Sequence, residues 1–448
     1  MSTVRKDISA KIAKWIEDRR QHAVDLARQL VRIPSVNNPP TGEEAEYQAF
    51  FAQSLRERGA QVDVYELDEV PGLASHPAFM NGRSYKGRPN VCGRFPGTGG
   101  GRSLMFSGHA DTVYVGKEKW TYEPFAGTVD GGRLYGRGAY DMKGGMAAAL
   151  CAVDCLRELG LALRGDVYIE SVVDEEHGGA NGTLAGRLRG PNADMAVIPE
   201  PTNLRICPAH LGGGIWKARF AGKSGIGFAG ERLVSALEAA VAFARALQSF
   251  KSHLNERFEQ PEWWKRTGRM LEVTLLSIVS GDIERPFQEK VPPTGELDFW
   301  IESYPGMAGE QLLNMLRDYI DGKLAEYPEL AQCPPDIVPT IRFLSASEMP
   351  AGEMTDAFLR IVRETGRAAL GDEPEPEQGA PFACDGFMFN LHSPTSALIL
   401  GPSGANAHAP DEYLDLDSYF RLIRWYAEMM IDWCGLADRL GSDGRGAP

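Results

Sequence analysis

Apolar residues recur at helical spacing over residues 7–31 and stop at IPSV, where Pro34 ends the pattern. A second helix is predicted over roughly residues 42–58, from TGEE to Gly59. Beyond it, runs of strand character alternate with helical ones. QVDVYEL, PNVCGRF and SLMFSGHAD read as strands, MKGGMAAALCAVDCLREL as a helix, and DVYIESVV and DMAVIPEP again as strands. Such alternation predicts an α/β domain whose sheet is mainly parallel and flanked by helices. The stretch from Pro71 to Pro89, rich in Gly, Pro and Arg, reads as a surface loop.

The pattern changes near Gly212. GIWKARFAGK, RMLEVTLLSIVSG, TGELDFWIESYPG and DIVPTIRFLS read as strands, with helices over GERLVSALEAAVAFARAL and EQLLNMLRDYIDGKL. The order β-α-β-β-α-β is that of a split βαβ, a small α+β domain of ferredoxin-like type. The first pattern then resumes with a helix near 355–370, the strand SALILG and the terminal helix SYFRLIRWYAEMMIDWCG. Residues 1–211 and 347–448 are thus expected to form one discontinuous domain, and 212–346 an inserted lid.

Composition narrows the function. The chain has 448 residues and a net charge of -14. So acidic a surface repels nucleic acid and anionic membranes, and neither is expected as a partner. No run of about 18 apolar residues is present to span a bilayer, and the charged start MSTVRKDISAKIAKWIEDRR lacks the core of a signal peptide. Seven cysteines without a CxxC pair suit free thiols in a reducing compartment, so a cytoplasmic location is expected.

The chemistry gathers where the predicted strands end. LMFSGHAD ends in His109 and Asp111, and GRGAYDMKGG carries Asp141 just before a helix. VVDEEHGG carries Asp174, Glu175 and Glu176, AVIPEP carries Glu200, and His408 follows the last strand. Ligands bind open α/β sheets beyond the carboxyl ends of the strands. Two histidines and several carboxylates meeting there suit divalent metals. Zinc is the first expectation, with cobalt or manganese suited to the same donors. Asp111, on the same face as His109, is placed to accept the imidazole N–H and fix its tautomer. Asp141 could bridge two metals roughly 3.5–4 Å apart, which would make a shared water nucleophilic near neutral pH. One glutamate of the Glu175–Glu176 pair would then hold metal and the other take the proton. Each signal taken alone has an ordinary reading: a structural histidine, a solvated acidic turn, a helix start. His76, His177, His253 and His392 read as loop or surface residues, and Cys384 has no evident base.

SGHADTV, GRGAYDMKGG, VVDEEHGG, IPEPT and AHAPDEY, in this order, resemble the dinuclear zinc metallopeptidase family of acetylornithine deacetylase, succinyl-diaminopimelate desuccinylase and glutamate carboxypeptidase. The resemblance spans nearly the whole chain, the lid included. It implies that His109, Asp141 and Glu200 hold one metal and Asp141, Glu176 and His408 the other. Glu175 would be the general base and Asp111 the partner of His109. It also implies a homodimer formed through the lid, and a small-molecule substrate cleaved at a C–N (amide) bond.

The lid departs from that family. Ile226, in GKSGIGFAG, occupies the place of a histidine that stabilises the oxyanion in relatives. Glu302 and Phe387 stand where relatives carry arginines. Loss of an oxyanion donor costs about 2.7–4 kcal/mol unless replaced, and His210, Lys223 and Arg232 are the candidate replacements. Phe228, Phe382, Phe387 and Phe389 suggest a more apolar pocket. Three readings follow: an amide hydrolase for apolar or aromatic N-acyl molecules, an aminohydrolase releasing ammonia from an aromatic amine, or a non-catalytic metal-binding assembly protein.

Overall fold

A computed structural model describes residues 3–437, except 179–180, 228–229, 231 and 285–287. The chain divides into two compact units. The first comprises Met1–Ala209, Met349–Gln378 and Asp385–Pro448, and the second His210–Glu348 with Gly379–Cys384. The short return of Gly379–Cys384 to the second unit is invisible to a reading by contiguous pattern.

Ten strands carry the two main sheets: β1 (Gln61–Tyr65), β2 (Asn90–Phe95), β3 (Leu104–His109), β4 (Val167–Val172), β5 (Met195–Ile198), β6 (Gly212–Ala221), β7 (Val273–Ser280), β8 (Thr294–Ser303), β9 (Asp336–Pro339) and β10 (Ser396–Ile399). The first unit holds the order β10-β5-β3-β4-β2-β1. β10, β5, β3 and β4 run parallel, and β2 lies antiparallel between β4 and β1. The central strands are buried on both faces, which is why LMFSGH and VYIESV read as apolar runs without alternation. Helices Gly144–Glu158 and Leu416–Cys434 pack within one core, with Trp425 and Trp433 buried. The fold is therefore the mixed α/β architecture with a mainly parallel sheet that the periodicity predicts.

Glycine sets one distance that matters for the site. A Cβ on Gly145, in the MKGG turn, would lie 2.2 Å from the carbonyl oxygen of Pro199. Only glycine lets the helix that follows Asp141 approach the end of β5, where Glu200 stands.

The second unit forms the antiparallel order β7-β8-β6-β9, with helices Ala236–Arg257 and Gly309–Asp321. Phe220, Phe243 and Phe299 pack edge to face in its core. β7 is an edge strand and is exposed along nearly its whole length.

Candidate metal centre

His109 ends β3 and is almost fully buried. Its Nε2 lies 3.2 Å from Asp141 Oδ1 and 3.5 Å from Glu200 Oε1. His408 sits on the turn between the short strands Gly404–Ala405 and Tyr413–Asp415, with φ +63°. Its Nε2 lies 2.9 Å from Glu176 Oε2 and 3.3 Å from Asp141 Oδ2. The two oxygens of Asp141 therefore face different histidines. Ligand atoms of His109, Glu175 and Glu200 lie within 4.8 Å of one another, as do those of His109, Asp141 and Glu176. The tertiary fold thus gathers His109, Asp141, Glu175, Glu176, Glu200 and His408, from distant segments, into one cluster. Beside His109 and Glu200 it sets Glu175, the expected base.

The charge state of this cluster calls for cations. Burial, then the charge of Asp141, pushes Glu200 up to about 8. Burial, then Asp385, holds the Glu175 carboxyl well above the usual range. Glu176, the largest influence, raises His408 to about 11. On His109 burial works toward the neutral form, but Glu200 and Asp141 outweigh it and raise the pKa. The clustered acids thus draw in positive charge, and protons on the imidazoles supply part of it. Divalent ions satisfy the same demand with neutral imidazoles and ionised carboxylates, so the donor set fits a pair of them.

Asp111 departs from expectation. The His109 Nδ1 contact is the backbone oxygen of Asp111 at 2.8 Å, whereas the carboxylate stands 3.9 Å away. That carboxylate is engaged elsewhere. It accepts from the backbone N–H of Glu175 at 3.2 Å and of Glu176 at 3.0 Å, and from Asn37 Nδ2 at 2.8 Å. The strand ends at His109, so the simple same-face alternation does not carry over to Asp111. Its side chain instead holds the acidic turn in place.

The three consecutive acids also separate. Asp174, at φ +68°, turns into the protein, where it accepts from Tyr85 Oη at 2.5 Å and Asn37 Nδ2 at 3.1 Å, with Arg83 Nη2 3.5 Å away. Tyr85 and Arg88 belong to the 71–89 segment, which runs over the surface as expected, but these two side chains turn inward and are 2% exposed. Only Glu175 and Glu176 are left for the cluster.

Glu412 and Lys143 escaped the sequence reading. Buried Glu412 accepts from the backbone N–H of Tyr140 at 3.0 Å and of Asp141 at 3.1 Å, and its other oxygen accepts from Arg137 at 2.6 Å. It holds the loop that aims Asp141. The only available signal was its place four residues after His408 within HAPDE. Lys143 Nζ donates to the Ile33 carbonyl at 2.7 Å, tying the MKGG turn to the end of the helix Arg20–Arg32. Glu412→Gln is expected to weaken metal affinity by about 10–100-fold, as loss of an orienting partner does. Metal titration against a competing chelator measures this.

Residues 105–432 match peptidase family M20/M25/M40. The chain belongs to this family. It is accordingly a metal-dependent hydrolase. An N-formyl-4-amino-5-aminomethyl-2-methylpyrimidine deformylase of Bacillus subtilis is 34% identical over 198 residues, which cover 44% of this chain and 42% of that protein. A succinyl-diaminopimelate desuccinylase of Methylocella silvestris is 26% identical over 422 residues, 93% of this chain and 99% of its own. Among solved structures, the di-peptidase Dug1p of Saccharomyces cerevisiae shares the fold at a TM-score of 0.72, with 15% identity over 95% of this chain and 98% of its own.

Glu302 accepts from Arg269 Nη2 at 2.7 Å and from the backbone N–H of Glu272 at 2.8 Å. It is a satisfied structural carboxylate of the second unit. His210 is fully buried, with Nδ1 2.7 Å from the Leu211 carbonyl and Nε2 2.8 Å from Ser347 Oγ. Burial pushes it down to about 4. Both ring nitrogens are engaged, so His210 is unsuited to replace the missing donor, whereas Lys223 and Arg232 are exposed. Phe387 is buried against His392, and Phe389 lies beneath the Arg187 guanidinium. Phe387 is therefore core, and Phe228 lies outside the described residues. His253 is half-buried near the end of the helix Ala236–Arg257, where it packs against Tyr319. All seven cysteines, Cys384 included, are buried, and none forms a disulfide. Among the described residues, no helix is long and apolar enough to cross a membrane.

Proposed function

We propose that this protein hydrolyses the amide bond of a small N-acyl molecule, with Glu175 as general base. The observation that carries the reading is Asp141, whose two oxygens stand 3.2 Å from His109 and 3.3 Å from His408. That is the disposition of a carboxylate shared between two cation sites. His109 and Glu200 would complete one site, and Glu176 and His408 the other. The ions, zinc first and cobalt or manganese as alternatives, would supply Lewis acidity toward a carbonyl oxygen and toward water. Glu175, close to His109 and Glu200, takes the proton of the attacking water and returns it to the departing nitrogen. Asp111 and Asn37 keep the Glu175–Glu176 turn in register with β3 while the proton moves.

Two of the relatives, a deformylase and a desuccinylase, are named for removing an acyl group from nitrogen. They support an N-acyl substrate. Product analysis by mass spectrometry tests the reading on metal-loaded protein, with N-acyl amino acids, N-acyl aromatic amines and free aromatic amines as the panel. Acid plus amine from an N-acyl substrate is the expected result. Ammonia from free aromatic amines alone would replace the reading with an aminohydrolase, and metal uptake without turnover would replace it with a binding protein.

The exposed edge strand supports a homodimer formed through the second unit. Leu275, Leu276, Ile278 and Val279 of β7 are each 38–49% exposed, and an apolar edge left open invites pairing or aggregation. Ile278→Lys is expected to shift the mass seen by light scattering from dimer to monomer without loss of secondary structure. A wild type that runs as a monomer would remove this reading. Seven cysteines without a disulfide are in keeping with a cytoplasmic location.

A further inference from the structure

The metal centre has a closed side and an open one. The His109 side chain is 1% exposed and that of His408 52%. Behind His109, the cavity walled by Met142, Glu175, Thr183, Asp385 and Phe389 measures about 10 Å³, room for one water at most. The bulk of a substrate therefore lies on the His408 side.

On that side the chain leaves β3 through Asp111, Thr112 and Val113 to Tyr114. The Val113 N–H donates to Glu176 Oε1 at 3.3 Å, on the carboxylate whose other oxygen faces His408. The Tyr114 carbonyl accepts from Arg137 Nη2 at 3.5 Å, and Arg137 is itself fixed by Glu412. The backbone of this segment is thus held at two successive residues, by Glu176 of the metal centre and by Arg137, while Tyr114 remains 66% exposed. An aromatic side chain on so constrained a backbone offers contact area with little ordering cost.

We propose that Tyr114 is the specificity-determining residue of this site, its ring stacking on the planar apolar group of an aromatic amide at the His408 side. The proposal rests on the amide-hydrolase reading and narrows its substrate class. It is tested by comparing acetanilide with an N-acetyl alkylamine of equal length on zinc-loaded wild type, Tyr114→Ala and Tyr114→Phe. The alanine variant is expected to raise KM for the anilide by roughly five- to ten-fold, the worth of one aromatic stack, with kcat held. KM for the alkylamide should stay unaltered, and phenylalanine should restore the wild-type values. An equal loss on both substrates, or none on either, overturns the proposal. If wild type cleaves neither substrate, the failure belongs to the hydrolase reading. Calorimetric binding of benzohydroxamate to the zinc-loaded protein then decides Tyr114: a weaker Kd in Tyr114→Ala upholds it, and an unchanged Kd overturns it.

Discussion

Glu175→Gln is expected to lower kcat by about 10²–10⁴, the usual worth of a positioned base, while the metal content of the protein stays the same. Glutamine keeps the shape and the hydrogen-bonding reach of the side chain but cannot take a proton. The backbone N–H of Glu175 is held by Asp111, which the substitution does not touch, so the acidic turn keeps its place. Metal content is the discriminating measurement. Glu175 also lies within ligand distance of His109 and Glu200, and a glutamate that bound metal directly would behave differently. In that case Glu175→Gln would lose metal as well as rate. Elemental analysis and kcat, measured on one preparation, separate the base from the ligand.

Removal of metal is expected to abolish turnover and to lower thermal stability together. Four carboxylates, Asp141, Glu175, Glu176 and Glu200, share the cluster with two imidazoles, and without cations only protons relieve their repulsion. A ligand held at 100 times its Kd stabilises the folded state by about 2.7 kcal/mol, so the metal-loaded protein should melt measurably above the chelated one. Because bound imidazoles must be neutral, uptake of metal should release protons and tighten as pH rises. Calorimetric titration with zinc in two buffers of different ionisation enthalpy reads that release. Asp141→Asn is the companion variant. Its two oxygens serve both halves of the cluster, so it should reduce metal at both sites, whereas Glu200→Gln should reduce it at one. A chelated protein that melts at the same temperature as the loaded one would count against a resident metal pair.

Much of this is legible in the sequence. The donors stand at strand ends or just past them, in HAD, DEE and PEP, because a parallel sheet delivers the carboxyl ends of its strands to one edge. The apolar runs before them are uninterrupted because those strands are buried on both faces. The β-α-β-β-α-β order likewise announced the second unit, since local periodicity records which face of each element is covered.

What the chain order could not disclose is where polar partners come from. Asp174, Glu175 and Glu176 are equivalent as letters. Asp174 is withdrawn by Tyr85 and Arg83, some ninety residues earlier in the chain, and its neighbours are left to the metal centre. Asp111 looks like a partner of His109, yet two backbone N–H groups and Asn37 take its carboxylate, and its carbonyl serves the imidazole instead. Glu412 carries no signal of its own, because its role is to hold the N–H groups of Tyr140 and Asp141, far away in sequence. The sequence by itself determined the two architectures and singled out the candidate donors, since both follow from periodicity and residue chemistry. Tertiary structure alone decided the direction each carboxylate faces, because a buried charge goes where its hydrogen-bond donors are, and those donors come from remote parts of the chain.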